Sequence, residues 1–261
     1  MTLPRVICCD LDGVIWRGDE PIPGGDVAVA QLRAAGFRVA FMTNNSSGRV
    51  ADYVDKLAGM GIPADPDDVI TSAQAAAALL ADTASPGARV HMLAGPGVAE
   101  ALTAEGFELV ADAPAEAVVV GFSRDFDFDR LARAADIVRA GARLVATNTD
   151  PTYPAAHGLL PGAGSLVAAV STASGATPEV AGKPAPPTVA LVRARLGNEG
   201  IVIGDRPSTD GALAAALGWP FGLVLSGIAG TQNEEAIPDP RPAFVAADIA
   251  SIVPQLITAR D

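Results

Sequence analysis

Acidic side chains directly follow two separate apolar runs of the sequence. Asp10 and Asp12 come after the run at residues 6–9, and Asp205 comes shortly after the run at residues 201–203. Carboxylate oxygens are the ligands that Mg²⁺ prefers in proteins. Residues two apart on an extended chain face the same side, so Asp10 and Asp12 are expected to address one ligand. The three acids therefore predict a site in which a divalent cation lies beside a reactive carboxylate, with Asp10 and Asp205 among the ligands of the ion.

Groups that bind phosphate oxygens occur at two further places. Thr43 and Asn44 follow the apolar run at residues 37–42, and Lys183 stands directly before a proline. The proline disfavours the helical conformation at Lys183, which is therefore expected to be extended. The Thr43 hydroxyl, the Asn44 backbone N–H and the Lys183 ammonium are expected to hold the phosphate oxygens. The alternatives are that Thr43 and Asn44 only cap a helix and that Lys183 is an ordinary surface residue.

This combination of groups suits phosphoryl transfer. Hydrolysis of a phosphate monoester needs an acceleration of up to about 10²¹-fold. A carboxylate and a phosphate repel each other, so a divalent cation must bridge them. We expect Asp10 to attack phosphorus and form an acyl-phosphate, which water then hydrolyses. Asp12 is expected to protonate the leaving alkoxide and then to deprotonate the attacking water.

The elements that must position these residues alternate between strand and helix. Short apolar runs typical of buried strands occur at residues 5–9, 37–42, 201–203 and 221–225. Helical patterns occur at residues 27–35, about 48–60, 186–196, 210–217 and 249–259. Ser46 or Ser47 is expected to cap the second of these helices. The alternation predicts an α/β fold with a parallel sheet and helices on its faces. In such a sheet ligands bind at the carboxyl ends of the strands.

The middle of the chain forms a second pattern of the same kind. Strand-like runs at residues 90–93, 117–120 and 143–146 alternate with helical stretches at residues 98–105 and 131–140. The segment from Thr43 to Lys183 is far longer than one crossover connection requires. We therefore expect a discontinuous catalytic core at residues 1–79 and 179–261, with an α/β cap domain inserted at residues 80–178.

Four segments of the chain resemble, in order, the four motifs of the haloacid dehalogenase superfamily. They are residues 10–15 (DLDGVI), 43–46 (TNNS), 182–184 (GKP) and 204–210 (GDRPSTD). Residues 16–18 followed by 21–24, and residues 146–154 followed by 160–165, resemble loops of the NagD-like branch. The resemblance covers nearly the whole chain. It implies a Rossmann-like core, a large α/β cap inserted after the second motif, phosphatase activity that needs Mg²⁺, and the backbone carbonyl of Asp12 as a third protein ligand of the ion.

The fourth motif departs from the common pattern of that branch. Pro207 stands where a large apolar residue is usual, and Ser208 stands where a charged or amide residue is frequent. Asp205 and Asp210 are kept, so metal binding is expected to be unaffected. The two unusual residues are expected to change the orientation of the loop and the fit of the substrate. Asp210 is expected to support the metal ligands without touching the ion; a direct metal contact and a helix start are its alternatives.

Two polar residues of the expected cap are candidates for substrate contact. Asn148 and Asp150 lie in a loop between prolines and glycines. Asn and Asp side chains also form Asx turns that tether loops of this composition. Both interpretations stay open at this point.

The motifs favour a phosphomonoester hydrolase that acts on a small phosphorylated metabolite. The resemblance favours glycerol 3-phosphate, followed by phosphoglycolate, 4-nitrophenyl phosphate and nucleoside monophosphates. A phosphomutase is one alternative, disfavoured because mutases of the superfamily tend to place the cap between the first two motifs, where this chain has only a short gap. A non-catalytic protein that binds phosphometabolites is another, disfavoured because it would not need both Asp10 and Asp12.

Composition restricts the partners and the location. The formal net charge of −12 repels polyanions, so no nucleic-acid partner is expected.

Adjacent Cys8 and Cys9 offer no disulfide framework and are expected in the core, which fits a reducing cytoplasm. No apolar stretch is long enough to span a bilayer and no signal peptide is recognised, so no membrane association is expected. The resemblance allows a homodimer formed through the cap.

Overall fold

The computed structural model describes residues 4–155, 158–228 and 240–260, in which strands and helices alternate along the chain. The strands are β1 (Val6–Asp10), β2 (Trp16–Arg17), β3 (Glu20–Pro21), β4 (Arg38–Thr43), β5 (Val69–Thr71), β6 (Arg89–Leu93), β7 (Glu108–Val110), β8 (Ala117–Val120), β9 (Arg143–Ala146), β10 (Thr152–Ala155), β11 (Gly158–Pro161), β12 (Glu179–Val180), β13 (Ile201–Gly204), β14 (Phe221–Val224) and β15 (Phe244–Ala246). The α-helices are α1 (Gly25–Ala34), α2 (Val50–Gly59), α3 (Ser72–Ala81), α4 (Pro96–Ala104), α5 (Phe128–Arg139), α6 (Ala163–Ser174), α7 (Pro186–Leu196), α8 (Ala212–Leu217) and α9 (Ile249–Arg260).

The larger sheet is parallel and has the strand order β15-β14-β13-β1-β4-β5. Strand β1 lies near its centre, where Ile7 pairs with Ile201 of β13 and with Val39 of β4. Because the strands are parallel, the carboxyl ends of β1, β4 and β13 share one edge of the sheet. The predicted α/β fold with a parallel sheet is thus confirmed.

Helices cover both faces of this sheet, as the apolar composition of its strands requires. Alternate residues of β1 point to opposite sides: Ile7 and Cys9 pack with α1, α2 and α9, and Cys8 packs with α7 and α8. The side chains of Leu32 and Leu57 are fully buried in the first of these layers. Full burial of one such side chain is worth about 1.5–3 kcal/mol. The two layers hold β1 rigidly and fix the position of the residues at its end.

The second parallel sheet has the order β12-β9-β8-β6-β7. Helices α3 and α4 pack on one of its faces, and α5 and α6 pack on the other. Helix α3 begins with a capping box, in which Thr71 Oγ1 accepts a hydrogen bond from Gln74 N and Gln74 Oε1 accepts one from Thr71 N. We call the larger sheet with its helices the core and the second sheet with its helices the cap.

The limits of the two sheets lie close to the domain boundaries expected from the sequence. Strand β12 pairs with β9, so the second sheet reaches residue 180. Helix α3 runs across the expected boundary between residues 79 and 80 and packs against the cap sheet and also against α7 of the core. The division into a discontinuous core and an inserted cap is our proposal, and these two separate sheets support it.

Among the helix starts that differ from the sequence predictions, those of α2 and α8 lie next to the predicted site residues. Helix α2 begins at Val50, and Asp52 Oδ2 accepts a hydrogen bond from Arg49 N at 2.7 Å. The predicted cap by Ser46 or Ser47 is wrong, because their hydroxyls bond to Thr147 and Asn45 instead. Helix α8, which the sequence predicts from residue 210, begins at Ala212. It follows a wide helical turn at Pro207–Gly211. No helix in the described ranges is long and apolar enough to cross a membrane.

The two adjacent cysteines generate a prediction about thiol reactivity. Both are buried, and burial raises the pKa of Cys8 to about 12 and that of Cys9 well above its ordinary value. The thiolate is the reactive form, so neither residue should react with iodoacetamide in the native protein at about pH 8. Both should react after unfolding in concentrated guanidinium chloride. Mass spectrometry counts the adducts. Rapid modification of the native protein would show that the helices packed on β1 open and expose the two cysteines.

Candidate active site

The residues singled out from the motifs line one pocket at the carboxyl edge of the core sheet, with a volume of about 380 Å³. From the core these are Asp10, Asp12, Thr43, Asn44, Lys183 and Asp205. Asn148 and Asp150 line the same pocket from the cap. The site therefore lies where the core and the cap face each other.

Lys183 lies between two acids at the floor of this pocket. Its Nζ donates to Asp10 Oδ1 at 2.6 Å and to Asp210 Oδ1 at 2.7 Å, and all three side chains are buried. Burial alone would lower the pKa of Lys183, but the two carboxylates outweigh burial and raise it. The ammonium group therefore stays charged. The backbone N–H of Lys183 donates to Asn44 Oδ1 at 2.8 Å, which connects the segment around Lys183 to the end of β4.

Three carboxylates surround this lysine. Oxygens of Asp10, Asp205 and Asp210 all lie within 4.8 Å of one another. Burial raises the pKa of Asp10 well above its ordinary value; Lys183 opposes the rise, and the charges of Asp210 and Asp205 add to it. Burial, with the charge of Asp210 next, also raises the pKa of Asp205 to about 6, although the N–H of Ile228 opposes the rise. A set of hard oxygen donors with excess negative charge fits a small divalent cation such as Mg²⁺.

Glycines make room for this crowding of carboxylates. Gly13 has a φ of +88°, and a Cβ at this position would lie 2.6 Å from Asp205 Oδ2. A Cβ at Gly204 would lie 2.2 Å from Asp210 Cγ. Both distances are shorter than real contacts allow, so a side chain at either position would displace an acid.

Asp210 belongs to this cluster and does not start the helix. Its Oδ1 accepts the bond from Lys183, and its Oδ2 accepts one from Arg206 N at 3.1 Å. Pro207 and Ser208, the unusual residues of the fourth motif, lie in the wide turn that brings Asp210 to Lys183. The turn thus keeps Asp210 beside Lys183 and close to Asp205.

The carboxylate of Asp12 is fixed by two donors and lies outside the three-acid cluster. Its Oδ1 accepts from Trp16 Nε1 at 2.9 Å, and its Oδ2 accepts from Thr43 Oγ1 at 3.2 Å. Thr43 Oγ1 in turn accepts from Asn45 N at 2.9 Å. Asp12 therefore faces the same pocket as Asp10 without sharing its lysine, which permits the two acids to have different roles.

The two cap candidates make polar contacts with the protein itself. Asn148 Nδ2 donates to Asn44 O at 2.6 Å, and Asn148 Oδ1 accepts from Asp150 N at 3.0 Å, so the Asx turn considered as an alternative is present. Asp150 Oδ2 accepts from Asn44 Nδ2 at 3.0 Å, and Asp150 Oδ1 lies 3.5 Å from Arg206 Nη1. Both residues therefore connect the cap to the core.

Sequence reasoning missed several pocket residues outside the motifs. Lys56 lies 4.5 Å from the centre of the Trp16 ring and donates to Gly18 O. On the cap side, Arg124 donates to the hydroxyl of Tyr153 at 3.1 Å. Phe122 packs edge-to-face on Tyr153, with ring centres 5.2 Å apart. The sequence gives no signal for Lys56, Phe122 or Arg124, because only the fold brings them to the pocket. Tyr153 lies in a segment that resembles a loop of the NagD-like branch, but that resemblance does not single it out as a pocket residue.

Comparison with known proteins agrees with this geometry. A family model described as haloacid dehalogenase-like hydrolase matches residues 7–108, and a second HAD hydrolase-like model matches residues 180–252. The chain is 41% identical over 249 residues to D-glycerol 3-phosphate phosphatase of Mycobacterium tuberculosis, which covers 93% of this chain and 69% of that protein.

Solved structures show the same similarity. Glycerol phosphate phosphatase of Mycobacterium tuberculosis in complex with magnesium has a TM-score of 0.86 at 40% identity, over 95% of this chain and 76% of the other. NagD of Escherichia coli has a TM-score of 0.83 at 27% identity, over 96% of this chain and 98% of the other. The chain therefore belongs to the haloacid dehalogenase-like hydrolases and is an enzyme of the phosphatase type.

Proposed function

We propose that the enzyme hydrolyses a small phosphomonoester with the help of Mg²⁺, by way of an aspartyl-phosphate on Asp10. The observation that carries the proposal is the buried contact of Lys183 with Asp10, beside Asp205, at the floor of a pocket that the cap covers. An ammonium group at this place can meet the phosphate oxygens next to the nucleophile.

The donor set supports Mg²⁺ as the cofactor. The side chains of Asp10 and Asp205, with the backbone carbonyl of Asp12, would hold the ion. The complex of the mycobacterial relative with magnesium supports the same choice. When bound, Mg²⁺ offsets the repulsion between the attacking carboxylate and the phosphate. Asp210 supports the site through Lys183 and through the backbone of Arg206.

The two N-terminal acids divide the chemistry between them. Asp10 attacks phosphorus, the bond from phosphorus to the ester oxygen breaks, and Asp12 gives its proton to the leaving alkoxide. Asp12 then takes a proton from a water molecule that attacks the aspartyl-phosphate, which releases inorganic phosphate and regenerates Asp10. Trp16 holds the Asp12 carboxyl in one orientation for both transfers. The Thr43 hydroxyl donates to Asp12 in the substrate-free site and would turn its hydrogen to the phosphate when the substrate binds.

The Thr43 hydroxyl, the backbone N–H of Asn44 and the Lys183 ammonium hold the other phosphate oxygens. Such donors are most effective when they are fixed before the substrate arrives. The bonds of Thr43 to Asn45 and Asp12, and of the Asn44 amide to the Lys183 backbone, fix this group in advance.

Glycerol 3-phosphate is the proposed substrate. The pocket volume of about 380 Å³ suits a small metabolite, and the name of the mycobacterial relative supports this choice. The tail of the substrate would meet Phe122, Arg124 and Tyr153 on the cap side. Phosphoglycolate, 4-nitrophenyl phosphate and nucleoside monophosphates follow as candidates. A homodimer through the cap and a cytoplasmic location remain predictions.

Phosphate release tests the proposed function directly. We expect release from glycerol 3-phosphate or 4-nitrophenyl phosphate to stop with EDTA and to return with Mg²⁺.

D10N should lose activity because an amide cannot attack phosphorus. D12N should retain Mg²⁺ binding and lose about 10²–10⁴-fold in kcat, the usual contribution of acid–base catalysis. Wild-type rates in D10N would contradict the covalent mechanism, and an unchanged kcat in D12N would remove Asp12 from its role.

Metal binding should depend on pH in a direction set by Asp205. Its pKa is raised from 3.8 to about 6, so its favourable contribution to metal-free stability is present at low pH and is lost as pH rises through about 6. Mg²⁺ competes with the proton and should raise the melting temperature more at about pH 7.5 than at about pH 5.

Matched variants test whether Asp205 contributes to this shift, to which the raised pKa of Asp10 adds in the same direction. D205N should abolish the pH-dependent increase in melting temperature. D19N is the control, because Asp19 lines the pocket but its side chain is fully exposed and, among the described residues, pairs with Lys56 alone. It should keep the shift. An equal shift by Mg²⁺ at both pH values in the wild type would contradict the assignment of Asp205.

A further inference from the structure

We propose that Asp150 is a positioning residue that joins the segment after β4 to the segment after β13 through the cap, and that it is not a substrate contact. The inference rests on the proposed function for the roles of those two segments, which hold phosphate and metal. In this proposal the carboxylate of Asp150 orients both the segment after β4 and the segment after β13.

On one side Asp150 fixes Asn44. The Asn44 amide donates its Nδ2–H to Asp150 Oδ2 at 3.0 Å, and its Oδ1 accepts from Lys183 N at 2.8 Å. The backbone carbonyl of Asn44 accepts from Asn148 Nδ2 and from Ser72 Oγ, each at 2.6 Å. The residue that offers its N–H to the phosphate is thus held by its side chain and by its carbonyl.

On the other side Asp150 meets Arg206, which directly follows the metal-binding Asp205. Arg206 Nη1 lies 3.5 Å from Asp150 Oδ1, and Arg206 Nη2 donates to Thr152 O at 3.3 Å. The side chains of Arg206 and Asp150 are only 16% and 23% exposed, so solvent screens their attraction less than on the open surface. The backbone N–H of Arg206 holds Asp210, so the pair reaches the acid cluster.

Asp150 itself is placed rigidly by the cap. Its backbone N–H donates to Asn148 Oδ1, and its carbonyl accepts from Gly164 N at the start of α6. A Cβ at Gly162 would lie 2.3 Å from the Asp150 carbonyl oxygen, so α6 approaches this backbone as closely as glycine allows. Each carboxylate oxygen already meets a donor from the core. The backbone of Asp150 is thus held by the cap while its carboxylate binds the core, so the residue connects the two.

Two mechanisms for Asp150 give different results on truncation. If Asp150 orients Asn44 and Arg206, D150A should lower kcat by about 10–100-fold, the usual effect of losing an outer partner of a site. Amide hydrogen exchange in the substrate-free enzyme should then rise in residues 43–47 and 204–211. If Asp150 bound the substrate, KM would rise and exchange of the free enzyme would stay unchanged.

The experiment compares D150A, D150N, R206Q and the double variant D150N/R206Q by hydrogen-exchange mass spectrometry and by kcat and KM. D150N keeps an acceptor for Asn44 and loses the charge that faces Arg206. D150N and R206Q should therefore lower kcat by similar factors, and the double variant should be no worse than either single one. Additive losses in the double variant would overturn the assignment of the Arg206 contact.

D19N is the control for pocket charge, since it removes one carboxylate charge from the same pocket without touching Asn44 or Arg206. It should leave exchange of residues 43–47 and 204–211 unchanged. The proposal would be overturned if D150A raised only KM, or if it increased exchange throughout both sheets. An inactive wild-type enzyme would refute the proposed function instead, and the exchange data would still test the connection made by Asp150.

Discussion

Three carboxylates crowd around one buried ammonium group, and the rest of the site follows from this imbalance of charge. Two unit charges about 5 Å apart repel by roughly 3 kcal/mol at an effective dielectric constant of about 20. Lys183 compensates one of the three acids when Asp10, Asp205 and Asp210 are ionised. Desolvation raises the pKa of Asp10 and Asp205 further. A divalent cation is the natural partner of such a cluster, and it also permits a carboxylate to approach a phosphate.

The fold maintains this unfavourable cluster by building it on rigid elements. Strands β1 and β13 are adjacent and parallel, so Asp10 and Asp205 leave the sheet at the same edge. Helices on both faces hold β1, and Gly13 and Gly204 allow the acids to come close. The cap encloses the pocket from the other side and reaches the core through Asn148 and Asp150. The groups proposed to act in catalysis are therefore held in place in the substrate-free structure, which electrostatic catalysis requires.

Sequence reasoning succeeds where local pattern decides and fails where tertiary contacts decide. Strands β1, β4 and β13 are apolar runs that stop at polar residues, so Asp10, Thr43 and Asp205 could be placed at one edge from the sequence. Helix α3 was missed because its run of alanines has no polar face to reveal a period. The serine cap of α2 was predicted wrongly because the Ser46 hydroxyl bonds to Thr147, a residue of the cap. Phe122 and Arg124 have no signal in the sequence, since only the folding of the cap brings them to the pocket.

The proposed chemistry depends on one divalent cation bound between Asp10 and Asp205. Anomalous diffraction from crystals of the enzyme grown with Mn²⁺ in place of Mg²⁺ tests it most directly, because Mn²⁺ takes similar oxygen ligands and scatters anomalously. We expect one strong peak within coordination distance of the carboxylates of Asp10 and Asp205 and of the Asp12 carbonyl, with Lys183 still bound to Asp10. A peak elsewhere, or none at this cluster with Mn²⁺ in excess, would contradict it.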